Sequence, residues 1–182
     1  MPVPPSPAPQ CVPPHQARRR SPLLWAVAAL IVSIGWLAAP ALADDMPIAT
    51  INVRSLPYDQ SPTNYKNAPT NYSNALTNYE NAGSNYENSA TYYENAASYY
   101  DNLNGSHRLT LNGRVVGYFR TAKSGVTNFF SKQGKRVLYT PKQGDGVYDA
   151  SSGAFAGVLQ RQLGRLTLCL DEAVKRRLFD SP

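Results

Sequence analysis

Arg108-Leu109-Thr110-Leu111-Asn112-Gly113-Arg114-Val115-Val116-Gly117-Tyr118 is the stretch on which the fold turns. Two β-type runs flank Asn112-Gly113. A two-residue hairpin turn needs positive φ at both central positions, which Asn and Gly tolerate best. The spacing predicts an antiparallel hairpin with Leu109 and Leu111 facing inward and Arg108 and Thr110 outward. Further β-type runs follow at 126–131, 136–140, 147–149, 154–160 and 165–170. They recur with a period: Gly113, Gly134 and Gly153 open the units, and Gly125, Gly146 and Gly164 mark their midpoints. Arg-Leu-Thr-Leu at 108–111 returns word for word at 165–168. One such hairpin buries little by itself, so successive hairpins must stack or close on each other. The expectation is a mainly β protein, with a small antiparallel meander or half-open barrel over 105–170. Asp171 and Glu172 open a short helix in 171–182, with Lys175, Arg176 and Arg177 near its end as the helix dipole favours.

Before Gly105 the chain changes character. From Tyr65 to Asn102 a seven-residue unit close to Thr-Asn-Tyr-x-Asn-Ala-x runs six times, with a looser copy at Tyr58. Its tyrosines are Tyr65, Tyr72, Tyr79, Tyr86, Tyr93 and Tyr100, each followed two residues later by Asn67, Asn74, Asn81, Asn88, Asn95 and Asn102. Leu76 and Leu103 are the large aliphatic residues of 58–104, so this segment lacks the apolar bulk of an independent domain. It reads as low-complexity heptad repeat, partly disordered or partly helical. Pro62 and Pro69 favour an extended start, whereas the later tyrosines with Ala82, Ser89, Ala96 and Leu103 fit a helix over 75–103. A tyrosine face with an amide two residues on suits either sugar stacking or self-association, so these tyrosines and asparagines are the candidate binding residues.

Further upstream, Arg18, Arg19 and Arg20 precede an apolar run at 23–39 and the small residues Ala41 and Ala43. That order predicts a signal peptide over 1–43, cleaved after Ala43, with residues 44–57 as a linker. The alternative is an uncleaved anchor at 23–39. Cleavage would leave His107 and Cys169 as the single His and Cys, with no intramolecular disulfide and Cys169 either a buried thiol or paired with a second chain. Charge is segregated as well. Residues 44–104 hold two basic and seven acidic side chains, and 105–182 hold thirteen and five.

Tandem Asn-Tyr-x-Asn-Ala units followed by Asn112-Gly-Arg-Val-Val-Gly-Tyr118, Gly125-Val-Thr-Asn-Phe129 and Gly146-Val-Tyr-Asp149 give the chain a resemblance to a group of uncharacterised exported bacterial proteins. In that group Asn-Tyr or Asn-Trp repeats precede a Gly-rich hairpin tail. The resemblance implies this two-part architecture and no particular activity.

Catalysis is disfavoured by the residue inventory. One His and one Cys do not make a zinc site, and His107, read as an exposed turn residue, has no partner suggested by spacing. Asp145, Asp149, Asp171 and Glu172 read as turn and helix-start residues. The expectation is a non-enzymatic structural or interaction protein, exported to the periplasm or beyond, with no cofactor and no metal. Its partners would be itself or an envelope polysaccharide on the Tyr/Asn repeat, or an anionic polymer on the basic half. Nucleic acid is not expected, nor membrane contact beyond an uncleaved N-terminal segment.

Overall fold

Eight strands close into a barrel in the computed structural model, which describes residues 45–162 and 164–180. The expected signal segment therefore lies outside the described residues. The strands are β1 (Met46–Ile51), β2 (Arg108–Leu111), β3 (Arg114–Thr121), β4 (Thr127–Ser131), β5 (Arg136–Thr140), β6 (Gly146–Asp149), β7 (Phe155–Gln162) and β8 (Arg165–Asp171). From β2 to β8 each strand pairs antiparallel with the next. Asn112 (φ 52) and Gly113 (φ 75) make the β2–β3 turn with the left-handed backbone that the sequence called for. At Gly117 any Cβ would run into the Phe130 carbonyl, so only glycine lets β3 lie that close to β4.

A mainly β fold thus holds, but two expectations about it change. The hairpins form a closed barrel rather than an open meander, and the stretch 44–57, expected as a linker, contains the strand that closes it. β1 lies parallel to both neighbours, with Met46 opposite Leu109 of β2 and Ile48 opposite Leu168 of β8. The two Arg-Leu-Thr-Leu copies are therefore the two walls of one slot, and β1 fills it. Such a pairing joins residues distant in sequence and has no hairpin turn to announce it.

Alternation fills the barrel with Met46, Ile48, Leu109, Phe129, Leu138, Val147, Leu168 and Leu170, all buried. Val174, Leu178 and Phe179 pack against the same core. They come from the C-terminal segment, a short helix α1 (Glu172–Lys175) that continues as one π turn at Arg176–Asp180. Asp171 caps that helix by accepting from the Ala173 N–H at 3.0 Å. Asp149 at the end of β6 ties it down by accepting from Arg177. Burial works against the Asp149 charge, yet hydrogen bonds from Ser151, Ser152 and Arg177 outweigh it and hold the carboxyl well below the usual range.

Cys169 points away from the leucines of its strand and is buried against Ala49 and Val158. It is disulfide-bonded, which corrects the expectation of a buried thiol. The other cysteine of the sequence, Cys11, lies outside the described residues.

Between β1 and β2 the chain does not cross the barrel end directly. Residues 52–107 leave β1, pass over the outer faces of β6, β5, β4 and β3 in that order, and return to β2. The heptad repeat is this belt.

Candidate functional site: a tyrosine row on an asparagine-laddered belt

Each seven-residue unit folds as two successive tight turns. In one unit the Asn78 N–H donates to the Ala75 carbonyl at 3.1 Å and the Asn81 N–H to the Asn78 carbonyl at 2.9 Å, and the other units repeat this pattern. The first asparagine of a unit caps its own turn. Asn64, Asn71, Asn78 and Asn85 each accept, through Oδ1, from the backbone N–H two residues on, at 3.0 to 3.1 Å. In the last two units Tyr92 and Tyr99 replace that asparagine and pack edge-on against Tyr86 and Tyr93.

The second asparagine does something different. The Asn81 amide donates both of its hydrogens backward, to the Ser73 carbonyl at 2.8 Å and the Ala75 carbonyl at 3.1 Å. Asn67, Asn74, Asn88, Asn95 and Asn102 do the same to the carbonyls eight and six residues earlier. A residue bonded to both i−8 and i−6 must sit beside i−7, so the chain coils with seven residues per turn and the amides form an internal ladder. Only a short planar side chain with two N–H donors can do this. Asp has no donor, and Gln is one methylene too long for the same geometry. The helix expected over 75–103 is accordingly absent. What occupies the inside of the coil is amide rather than apolar side chain, and the amide hydrogen bonds compete with an α-helical backbone.

Two of the three central carbonyls in each coil are bound by the next asparagine. The third, between them, faces the barrel. Tyr148 Oη donates to the Asn67 carbonyl at 2.9 Å, Tyr139 Oη to that of Asn74 at 2.6 Å, and Tyr118 Oη to that of Asn95 at 2.6 Å. Arg136 donates to the Asn81 carbonyl at 2.9 Å, and Asn128 reaches the Asn88 side chain at 2.9 Å. Tyr139 and Tyr148 are cross-strand neighbours whose rings stack 5.5 Å apart. Successive coils therefore meet the sheet in strand order, Asn67 on β6, Asn74 and Asn81 on β5, Asn88 on β4 and Asn95 on β3. Burial pushes the Tyr118 and Tyr139 phenols up to about 12 and Tyr148 higher still, so they stay protonated donors. Burial also lowers the Arg136 guanidinium to about 10.

Charged groups close the far end of the coil. Asp101 accepts from the Ser106 hydroxyl at 2.9 Å and pairs with His107 at 2.9 Å, while Arg120 bridges Glu94 at 2.9 Å and Asp101 at 3.6 Å. Hydrogen bonds from Ser106, then the His107 and Arg120 charges, lower the Asp101 carboxyl. His107 is half-buried against Phe119 in this cluster, not the exposed turn residue expected.

The structure thus separates the two halves of the predicted binding pair. Asn67, Asn74, Asn81, Asn88, Asn95 and Asn102 are at most 6% exposed and committed to the ladder, so they cannot meet an outside hydroxyl. Tyr65, Tyr72, Tyr79, Tyr86, Tyr93 and Tyr100, with Tyr58, stand on the opposite surface at 60 to 75% exposure. They form a row, one ring per coil. The residues that sequence reasoning missed are Tyr118, Asn128, Arg136, Tyr139 and Tyr148, which hold the coil to the barrel. Their one signal was the recurrence of Tyr118 and Tyr139 at equivalent places in the hairpin repeat.

Among the described residues no group of His, Cys, Asp and Glu is arranged to hold a metal ion, and no helix is long and apolar enough to cross a membrane. Compared with family models, curated proteins and solved structures, the chain matches none.

Proposed function

We propose that this is an exported, non-catalytic interaction protein of the cell envelope whose working surface is the tyrosine row. A single observation carries this reading: seven tyrosines stay exposed at fixed spacing on a backbone that is hydrogen-bonded at every unit. An ordered coil holds its rings in place before any partner arrives, which lowers the entropic cost of binding an extended partner or a second copy. Exposed aromatic rings in one line are also more than surface chemistry needs for solubility. Export rests on the order of basic, apolar and small residues before Asp44.

The test replaces Tyr72, Tyr79 and Tyr86 together by serine. Retention on isolated peptidoglycan, or concentration-dependent assembly in sedimentation, should fall at least tenfold while the melting temperature stays put. Unchanged retention and assembly would remove the row from the function. The mass of the mature protein bears on export directly. Cleavage after Ala43 leaves a chain that starts at Asp44.

A second reading is favoured by the turns at one barrel end, where Lys123, Lys142 and Arg165 are all exposed. An anionic polymer bound there would be released by salt, whereas stacking on the tyrosines would survive it.

A further inference from the structure

The coil starts with an incomplete unit. Gln60 stands two residues after Tyr58, the position that each later unit gives to a ladder asparagine. No coil precedes it: the residues eight and six before it, Asn52 and Arg54, belong to the short turn Val53–Ser55 and its cap as the chain leaves β1. The Gln60 amide oxygen is buried and has no hydrogen-bond donor. Beside it, on β7, Gln160 and Gln162 alternate with Arg161, so the two amides share a strand face with Val158. Together with Asp145 and Arg161, these side chains line a cavity of about 160 Å³.

We propose that this cavity is a saccharide subsite, taking one unit of an uncharged polysaccharide whose chain continues along the tyrosine row. The inference rests on the reading of that row as the working surface and names its ligand class. Three features point to it. Three glutamines and one aspartate among the lining residues offer donors and acceptors in several directions, as a ring bearing hydroxyls requires. Asp145 and Arg161 contribute opposite charges to the lining, so the site has no net preference for an anion or a cation. The volume is also below the roughly 300–1,000 Å³ of pockets for larger ligands, so it suits one small polar unit rather than a cofactor. Tyr58, two residues from Gln60 and 69% exposed, is the first ring of the row.

The probes are N-acetylglucosamine oligomers and cello-oligosaccharides of two to six units, titrated into the isotope-labelled mature protein and followed by amide chemical shifts. Both dimers and hexamers of at least one series should shift Gln60 and the 158–162 amides. Gln60→Ala and Gln160→Ala should each weaken dimer binding about tenfold, with an unchanged melting temperature showing that each variant folds. Tyr93→Ser, far along the row, should weaken the hexamer but not the dimer. If hexamers shift the tyrosine amides alone and Gln60→Ala changes nothing, the subsite is wrong while the tyrosine surface stands. If neither series shifts the cavity or the row, the saccharide assignment is overturned. The row itself is then judged separately, by whether the triple tyrosine variant still assembles.

Discussion

The barrel and the belt solve the problem of an interior in opposite ways. Inside the barrel, Phe129, Leu138, Leu168 and Leu170 exclude water and ask nothing of direction. Inside the coil, six asparagines contribute little apolar area and owe their place to paired, directional hydrogen bonds. An apolar interior tolerates a change of shape better than a change of polarity. An amide ladder tolerates neither, because each lost N–H leaves a buried carbonyl unsatisfied. The belt also depends on the barrel in a way the barrel core does not depend on the belt: its central carbonyls are completed by Tyr118, Arg136, Tyr139 and Tyr148.

The sharpest way to break this contrast is Asn88→Asp, a change of one amide to one carboxylate in the middle of the ladder. It removes both donors and places a charge against two carbonyl oxygens, so the expected loss is about 4 kcal/mol, of the size seen when a buried charge is left uncompensated. Urea unfolding measures it. A loss under about 1 kcal/mol would mean that the ladder does not hold the coil together. Leu168→Ala in the barrel should cost about 3 kcal/mol by the cavity it leaves. The comparison sharpens if two such different interiors turn out to be equally sensitive.

Next in size is the seam between the two parts. Tyr139→Phe keeps the ring and deletes the donor to the Asn74 carbonyl, for an expected loss of about 1–3 kcal/mol. Proteolysis should then cut first near Asn74 while leaving the barrel whole. The same seam responds to alkali. Tyr118 and Tyr139 hold their protons to about 12 when folded, against 10.0 for the free phenol. Between those values the folded chain binds more protons than the unfolded one. The stability they provide is therefore complete below pH 10 and is lost as the pH rises to 12. Thermal melts across that window should fall steadily, with the belt becoming protease-sensitive before the barrel.

Acid acts on the barrel through Asp149, whose carboxyl is held below its usual value of 3.8. Its contribution is present above that value and disappears as the pH drops beneath it. Asp149→Asn should remove that acid dependence and loosen the C-terminal segment, read as faster amide exchange at 172–180, at a cost of about 1–2 kcal/mol. The smallest effect belongs to the exposed row. Tyr79→Ser should change stability by less than about 0.5 kcal/mol, since the ring touches little of the fold. A larger loss would mean that the row supports the coil and is not a free surface.

The hairpins were legible because their causes are local. Asn112-Gly113 fixes its own turn, and Leu109, Leu168 and Leu170 alternate as a strand requires. The belt was half legible. Its period, its lack of apolar bulk and its row of tyrosines are plain in the sequence, but a seven-residue spacing serves a helix as readily as a seven-residue coil. What separates the two is where each amide donates, and that depends on residues eight positions away. The same holds for β1. Nothing in Met46-Pro-Ile-Ala-Thr-Ile says that it lies between β2 and β8, because a parallel pairing leaves no turn to read.

By itself, the sequence determined the β character of residues 105–170, the inward leucines, the break in composition near Gly105 and the tyrosine period. Those follow from short-range rules of turn geometry and side-chain alternation. Only the tertiary structure decided that β1 closes the barrel, that the repeat is wound rather than helical, and that its tyrosines and asparagines face opposite ways. Each of these depends on hydrogen bonds between groups far apart in the chain. The Tyr148 hydroxyl and the Asn67 carbonyl, eighty-one residues apart, have no reason to meet until the barrel sets one beside the other.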